Sequence, residues 1–128
     1  MGKEDIRLHL LYLINNFRKE NGKPSLHLHI EDSQKAKAHS EHWADRTGNI
    51  PHAPEHYRVG AKELVGEAHG WFMEHEHPYQ MAERAFEGWK ESPRHRDVIL
   101  NARGHVGIDV AHRHWGIYKK LFMTARFR

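Results

Sequence analysis

The sequence predicts an α+β fold, because helical patterns fill its first part and strand patterns fill its last part. Apolar residues recur every three or four positions between residues 6 and 17, between 31 and 47, and between 78 and 91, which is the periodicity of amphipathic helices. After residue 105 the period changes to two, as in a β-strand. A chain of 128 residues suits one domain over residues 1–128.

Two helices are expected in the first part of the chain. The first carries apolar residues from Ile6 to Phe17 and ends at Asn21-Gly22, since glycine accepts the backbone conformation of a helix end. The second spans Glu31 to Thr47, with Asp32 or Ser33 as its N-cap. The small residues of its stripe predict close packing against another element. This stripe consists of Ala36, Ser40, Trp43, Ala44 and Thr47.

A short strand from Glu63 to Trp71 is expected next, after a loop that spans Asn49 to Lys62. A third helix begins at Pro78, because the first helical position needs no backbone N–H, and it ends at Ser92-Pro93. A short apolar turn, Val98 to Leu100, follows it. The apolar face of the third helix consists of Met81, Ala82, Ala85, Phe86 and Trp89.

The last part of the chain predicts an antiparallel hairpin with its turn between His112 and Gly116. Residues 106–110 and 121–127 alternate in polarity or size at a period of two. The second of these strands is locally basic. Lysine and arginine often guard the exposed edge of a sheet, so we expect a solvated edge strand rather than a nucleic-acid surface, which needs a basic stripe. The basic residues are Lys119, Lys120, Arg126 and Arg128.

Histidine is unusually frequent in the composition, with 14 copies. The formal net charge is +3 when these histidines are neutral. Because free imidazole titrates near pH ~6.5, this content predicts pH-sensitive stability or binding, metal affinity, or both. The absence of cysteine excludes disulfide and thiolate chemistry. No signal-peptide pattern precedes the first helix, and the longest apolar stretch, residues 8–14, is too short to cross a bilayer.

The most specific pattern is the stretch from Trp89 to Asn101, in which a tryptophan, a Ser-Pro break and a histidine follow one another. It resembles the closing motif of bacterial CAP domains, the family of cysteine-rich secretory proteins, antigen 5 and plant pathogenesis-related 1 proteins. Other segments are similar to the same family in the same order, so that the resemblance covers nearly the whole chain. These segments are Ile14–Arg18, Gly22–Leu26, Ala36–Ala44, Pro51–Ala53, Val65–Ala68 and Gly104–Val110.

The resemblance implies a three-layer α-β-α sandwich with a central antiparallel sheet and a large cleft. In the family, two histidines and usually two glutamates line that cleft, and the matching positions here are His52, His95 and Glu67. The second glutamate of longer members is replaced by Ser92, while Glu91 is a neighbour out of register. This departure weakens the case for an acid–base mechanism.

Two imidazoles and a carboxylate can bind a divalent metal, and Zn²⁺ is the expected ion. Each histidine also has a structural interpretation, as a loop residue bonded to backbone for His52 and as a helix-end cap for His95. His69 lies two residues after Glu67, so in a strand both point to one face. We therefore treat His69 as an additional cleft candidate with Glu91 and Ser92, the alternative being a half-exposed strand histidine.

The remaining histidines have simpler interpretations. His39 is expected to be a core histidine with a bonded ring. The segment His75-Glu76-His77 is a second metal clamp or, as we expect, a solvated loop, because short His-x-His pairs without a rigid scaffold bind weakly. His112 and His114 flank the predicted turn and are expected to be exposed.

Three functions are consistent with these features. The first is a binding or interaction module whose cleft holds a divalent metal and a small-molecule or protein ligand. The second is a metal-assisted hydrolase of the peptidase type with Glu67 as general base, and the third is a structural subunit of a phage or other large assembly. No nucleic-acid partner and no membrane span are expected. The resemblance implies a secreted, cell-surface or virion-associated protein, although a cytoplasmic location and any oligomeric state stay open.

Overall fold

The computed structural model describes residues 2–44, 61–71, 77–115 and 118–128. Within these ranges the chain forms four helices and four strands. In chain order they are α1 (Lys3–Glu20), β1 (His27–Leu28), α2 (Ile30–Ala44), β2 (Lys62–Trp71), α3 (Pro78–Glu91), α4 (Pro93–Asn101), β3 (His105–Trp115) and β4 (Tyr118–Phe127).

The four strands form one sheet in the order β1-β3-β4-β2. β4 pairs antiparallel with both β2 and β3, whereas the two-residue β1 pairs parallel with β3. The α+β prediction is confirmed, with a sheet that is antiparallel except for β1. β1 was not predicted, because two residues are too short to show a period.

Helices cover both faces of this sheet. Apolar side chains of α1, α3 and α4 pack on one face, around Leu10, Phe86 and Ile99. On the other face α2 contributes Ala44 to a smaller cluster with Ala111 and Phe122. The result is the predicted three-layer arrangement, in which all five predicted apolar residues of the third helix are buried.

The ends of the helices follow local chemistry, with one correction to the prediction, at the start of α2. Gly22 has a φ of 72° just after α1, as a helix end requires. α2 begins at Ile30, so its cap is His29, whose Nδ1 accepts the backbone N–H of Asp32 at 3.2 Å. The predicted caps Asp32 and Ser33 lie inside the helix instead. The end of the helix predicted at Thr47 lies outside the described residues.

The segment after Ser92 is a helix and not the predicted apolar turn. Pro93 occupies the first position of α4, where a missing N–H costs nothing. The same residue that stops α3 therefore starts the next helix. Ile99 is fully buried within α4 and joins the main core.

The prediction that the last strand is a solvated edge is wrong, since β4 lies between β3 and β2. Lys119, Lys120 and Arg126 are 5%, 3% and 0% exposed. Acidic side chains on α2 and β2 pair with two of these cations, Lys120 and Arg126. The hairpin is also longer than predicted, so that His112 and His114 lie within β3, and His112 is half-buried rather than exposed.

Glycine at position 107 lets α2 lie directly on the sheet. A Cβ atom built there would collide with the backbone carbon and Cβ of Asp32 and with the amide nitrogen of Ser33. The hydroxyl of Ser33 in turn accepts the backbone N–H of Ile108 at 3.1 Å. The start of α2 is therefore fixed against β3 by close backbone packing and a buried hydrogen bond.

Candidate functional site

A cleft of about 530 Å³ opens between the first residues of β2 and helix α4. Glu63 and Leu64 border it from the strand, and His95 and Asp97 border it from the helix. A second cavity of about 480 Å³ shares Ala61, Lys62, Val98 and Asn101 with the first. The two together form a groove that extends from the start of β2 to the end of β4, with both charged and apolar walls.

The position of His95 is set by the way α4 is anchored to α1. Arg18 on α1 is 1% exposed, and its guanidinium donates to the carbonyl oxygens of Ile99 at 2.6 Å and Leu100 at 3.3 Å. These bonds satisfy two carbonyls at the end of α4. Because α4 starts at Pro93, the half-buried His95 lies in its first turn, at the wall of the cleft.

The strand wall of the cleft is held by Trp89. Its indole Nε1 donates to the carbonyl oxygen of Val65 at 3.0 Å. Gly66 leaves room for this ring, because a Cβ there would lie 3.2 Å from Nε1. The Trp-x-x-Ser-Pro-x-His stretch that carried the family resemblance therefore has a physical role, since it joins β2 to the helix wall of the cleft.

Glu67 lies on β2 beyond the cleft wall formed by Glu63, and its partner is a buried cation. The Nζ of Lys120 on β4 lies 3.0 Å from Oε1 of Glu67. The same ammonium lies 5.7 Å from the centre of the Phe122 ring. Glu67 does not border the cleft as far as its walls lie within the described residues. The joint role predicted for His52, His95 and Glu67 stays a prediction.

The structure adds a carboxylate that the sequence interpretation missed. Glu63 borders the cleft, and its buried side chain pairs with two groups at once. Its Oε1 lies 2.8 Å from Nδ1 of His39, and its Oε2 lies 3.3 Å from the guanidinium of Arg126. A period of two from Glu67 places Glu63 on the same strand face, which is the signal that could have identified it.

The pair of Glu63 and Arg126 continues into a buried network beneath α2. The Nε of Arg126 donates to Oδ1 of Asp32 at 3.3 Å, and Arg128 donates to both oxygens of the same carboxylate. Burial opposes ionisation of Asp32, but the hydrogen bonds from the two arginines outweigh it and hold its pKa below the usual range. His39, whose Nδ1 lies 2.8 Å from Glu63, is buried and paired with this network, in line with the expected core histidine.

The other candidate residues are placed only in part. His52 and His75 lie outside the described residues, and His69 is described only through its backbone, which pairs with Lys120 across β2 and β4. Glu91 is exposed at the end of α3, and the half-buried Ser92 is the residue between α3 and α4. These positions leave their roles in the cleft as predictions.

Two properties of the described residues bear on the predicted chemistry. No group of three or more histidine, aspartate or glutamate side chains in these ranges has the arrangement of a metal site. His52, one of the three predicted ligands, lies outside these ranges. The helices within the same ranges include none with the length and apolar character needed to cross a membrane.

Comparisons with known proteins agree on the fold. The structure is similar to an extracellular protein containing an SCP domain from Bacillus anthracis str. Ames, with a TM-score of 0.59, 22% identity and coverage of 98% of this chain and 41% of that one. It is similar to a cysteine-rich secretory protein from Staphylococcus aureus subsp. aureus Mu50, with a TM-score of 0.58, 15% identity and coverage of 96% and 39%. It is also similar to Na-ASP-1, with a TM-score of 0.60, 12% identity and coverage of 94% and 38%.

The chain spans about two fifths of the length of each of these three proteins. No curated protein sequence matches it significantly. A family model, CAP, described as the cysteine-rich secretory protein family, matches residues 11–122, and this match confirms the resemblance inferred from the motifs. The chain belongs to the CAP family.

Proposed function

We propose that this domain is a binding module that holds a divalent metal, Zn²⁺ in the first instance, through His52, His95 and Glu67. His95 lies on the wall of the cleft, and Glu67, further along β2, must turn from Lys120 to reach the ion. Membership in the CAP family supports a binding or interaction role in general. The observation that carries the finer proposal is the position of His95 on the wall of a cleft of about 530 Å³. A neutral imidazole at such a wall is a suitable ligand for zinc.

The charges around the cleft suit a small polar or amphipathic ligand. Arg94 and Asp97 border it from α4 and offer one group of each sign, while Leu64 and Val98 provide apolar surface. Six of the nine described lining residues are polar or charged, so the cleft suits a ligand with polar groups better than a wholly apolar one. We propose that a small molecule or a short protein segment occupies this groove.

The carboxylates of β2 favour binding over hydrolysis. A general base must take a proton from a bound water, yet Oε1 of Glu67 lies 3.0 Å from the ammonium of Lys120. Both oxygens of Glu63 are likewise engaged, by His39 and Arg126. We therefore propose the metal-assisted hydrolase only as the alternative function.

Isothermal titration with Zn²⁺ tests the metal site. The variant His52→Ala with His95→Ala is expected to bind at this site at least tenfold more weakly than the wild type. His9→Ala is the matched control, because His9 pairs with Glu83 at 2.9 Å on the α1–α3 surface. Equal zinc affinity of the double variant and the wild type contradicts the assignment.

Two further assays separate the alternative functions. Peptide and ester substrates, assayed with and without a chelator, are expected to show no chelator-sensitive turnover. Such turnover, lost in Glu67→Gln, would favour the hydrolase. The structural-subunit function requires that the protein form a large assembly. Light scattering during size-exclusion chromatography is expected to show none. We also propose a location outside the cell or at its surface, as the Bacillus anthracis protein is described as extracellular.

A further inference from the structure

Two histidine rings meet at the β1 edge of the sheet, whereas the cleft lies at the opposite, β2 edge. His29 follows β1 and His105 begins β3, and their ring centres lie 5.5 Å apart at an interplanar angle of 65°. Two imidazoles that bind one tetrahedral zinc ion through Zn–N bonds of about 2.1 Å have ring centres roughly 5 Å apart. The observed separation therefore fits two ligands of one metal ion.

The backbone holds both residues in place. His27 and His105 are paired positions of the parallel strands β1 and β3. The N–H of His29 donates to the carbonyl oxygen of Val106 at 2.9 Å, and His29 is also the residue that caps α2. Such a scaffold distinguishes this pair from a His-x-His pair in a loop, where ordering the ligands costs binding free energy.

A metal-binding histidine is commonly oriented by a carboxylate bonded to its other ring nitrogen. Asp32 can play this role for His29. Its Oδ2 lies 3.0 Å from Nδ1 of His29, and its own side chain is fully buried. When Nδ1 of His29 carries no proton, it accepts a hydrogen bond from the backbone N–H of Asp32. A metal on Nε2 moves the ring proton to Nδ1, where it bonds to Asp32. This is the carboxylate–histidine–metal arrangement that fixes the ring and strengthens the ligand.

We propose that His29 and His105 form a second, exchangeable site for a first-row transition-metal ion, with water in the remaining positions. Nitrogen ligands favour Zn²⁺, Co²⁺, Ni²⁺ and Cu²⁺ over Mg²⁺ and Ca²⁺. Arg128 and Arg126 bond to Asp32 and oppose the added positive charge, so affinity rests on the two neutral rings. No group of three histidine, aspartate or glutamate side chains within the described residues has the arrangement of a metal site, so the proposed site has two protein ligands.

Titration with Co²⁺, followed through paramagnetic changes in the amide spectrum, tests this proposal. The experiment uses a background with His52→Ala and His95→Ala, so that metal in the cleft is removed and the two sites are separated. We expect early changes at the amides of Leu28, Gly104 and Val106. His105→Gln is expected to weaken this Co²⁺ binding at least tenfold, and His9→Gln is expected to leave it unchanged.

A second variant distinguishes the loss of a metal ligand from an effect on folding. His29→Asn removes the ligand but keeps an oxygen that can cap α2, so it is expected to weaken Co²⁺ binding at least tenfold with an unaltered metal-free spectrum. Mg²⁺ at the same concentration is expected to cause no change. Unchanged Co²⁺ binding in His105→Gln, or early spectral changes centred away from β1, would overturn the proposal, whatever happens at the cleft.

Discussion

Arg126 on β4 and Glu63 on β2 form an ion pair in which neither side chain is exposed, with 3.3 Å between Nη1 and Oε2. The same guanidinium bonds to Asp32, whose side chain is also fully buried. Two strands and a helix are thus joined by charges in the interior. A buried charge is costly unless it is paired, so these residues depend on one another.

Removing the central cation is expected to destabilise the fold strongly. Arg126→Met leaves Asp32 and Glu63 without this partner, and breaking a buried ion pair typically costs about 3–5 kcal/mol of unfolding free energy. Urea denaturation at pH 7 measures the loss. Arg96→Met is the control, because Arg96 is exposed on α4. A loss in Arg126→Met no larger than in the control would show that the network adds little stability.

Two glycines are expected to respond to alanine in opposite directions. A Cβ at Gly107 would collide with the backbone of Asp32 and Ser33, so α2 must move, and overpacking of this kind typically costs about 1–3 kcal/mol. A Cβ at Gly88 meets open space on α3, where alanine should add up to about 1 kcal/mol through helix propensity. Thermal and urea unfolding of both variants check this. Stabilisation by Gly107→Ala would contradict the close packing.

Mild acid is expected to destabilise the protein through His112. Burial, with smaller contributions from the positive charges of His114, Lys119 and Arg113, holds the pKa of His112 below its ordinary 6.5. The unfolded state then binds the proton at higher pH than the folded state does. The contribution of His112 is therefore complete above pH 6.5 and is lost as the pH falls from there through the folded-state pKa.

Ring-proton NMR should give His112 a titration midpoint below 6.5. In urea unfolding between pH 7.5 and about pH 5, His112→Gln should lose less stability than the wild type. His27→Gln serves as the comparison, because His27 is exposed. If His112→Gln loses as much stability as the wild type over this range, another group causes the acid sensitivity.

Replacing Lys120 should strengthen metal binding in the cleft if Glu67 is a ligand there. Lys120→Met keeps the buried length of the side chain but removes the ammonium that lies 3.0 Å from Glu67. The carboxylate can then turn towards a cation, and we expect zinc affinity to rise at least threefold by isothermal titration. Lys90→Met is the control, since Lys90 pairs with Glu87 on α3. An unchanged zinc affinity would exclude Glu67 as a ligand.

The sequence predicted the elements whose signals are local. The apolar face of α3, the end of α1 at Gly22 and the pairing of β3 with β4 follow from periodicity and turn chemistry. Helix α4 was missed because Pro93 was interpreted as a terminator, whereas proline equally suits the first position of a helix. Pro93 could therefore end one helix or begin another, and the burial of Ile99 in the core favours the second helix.

The buried charges could not be predicted, because their partners are far apart in the chain. Lysine and arginine on a strand indicate a solvated face when the strand is considered alone. Arg126 is buried only because Asp32 and Glu63, from separate elements, reach it in the folded protein. The position of His95 could not be predicted for the same reason. It depends on the contact of Arg18 with the helix that carries His95, and these residues are far apart in the chain.

The order of strands also constrains how the chain can fold. β2 is complete at Trp71, but the strand it pairs with, β4, ends at Phe127. Pairing of distant segments must overcome the entropy of closing a long loop before any contact rewards it, and it slows folding. During synthesis β2 therefore cannot form its backbone hydrogen bonds to β4 until nearly all of the described chain has emerged from the ribosome.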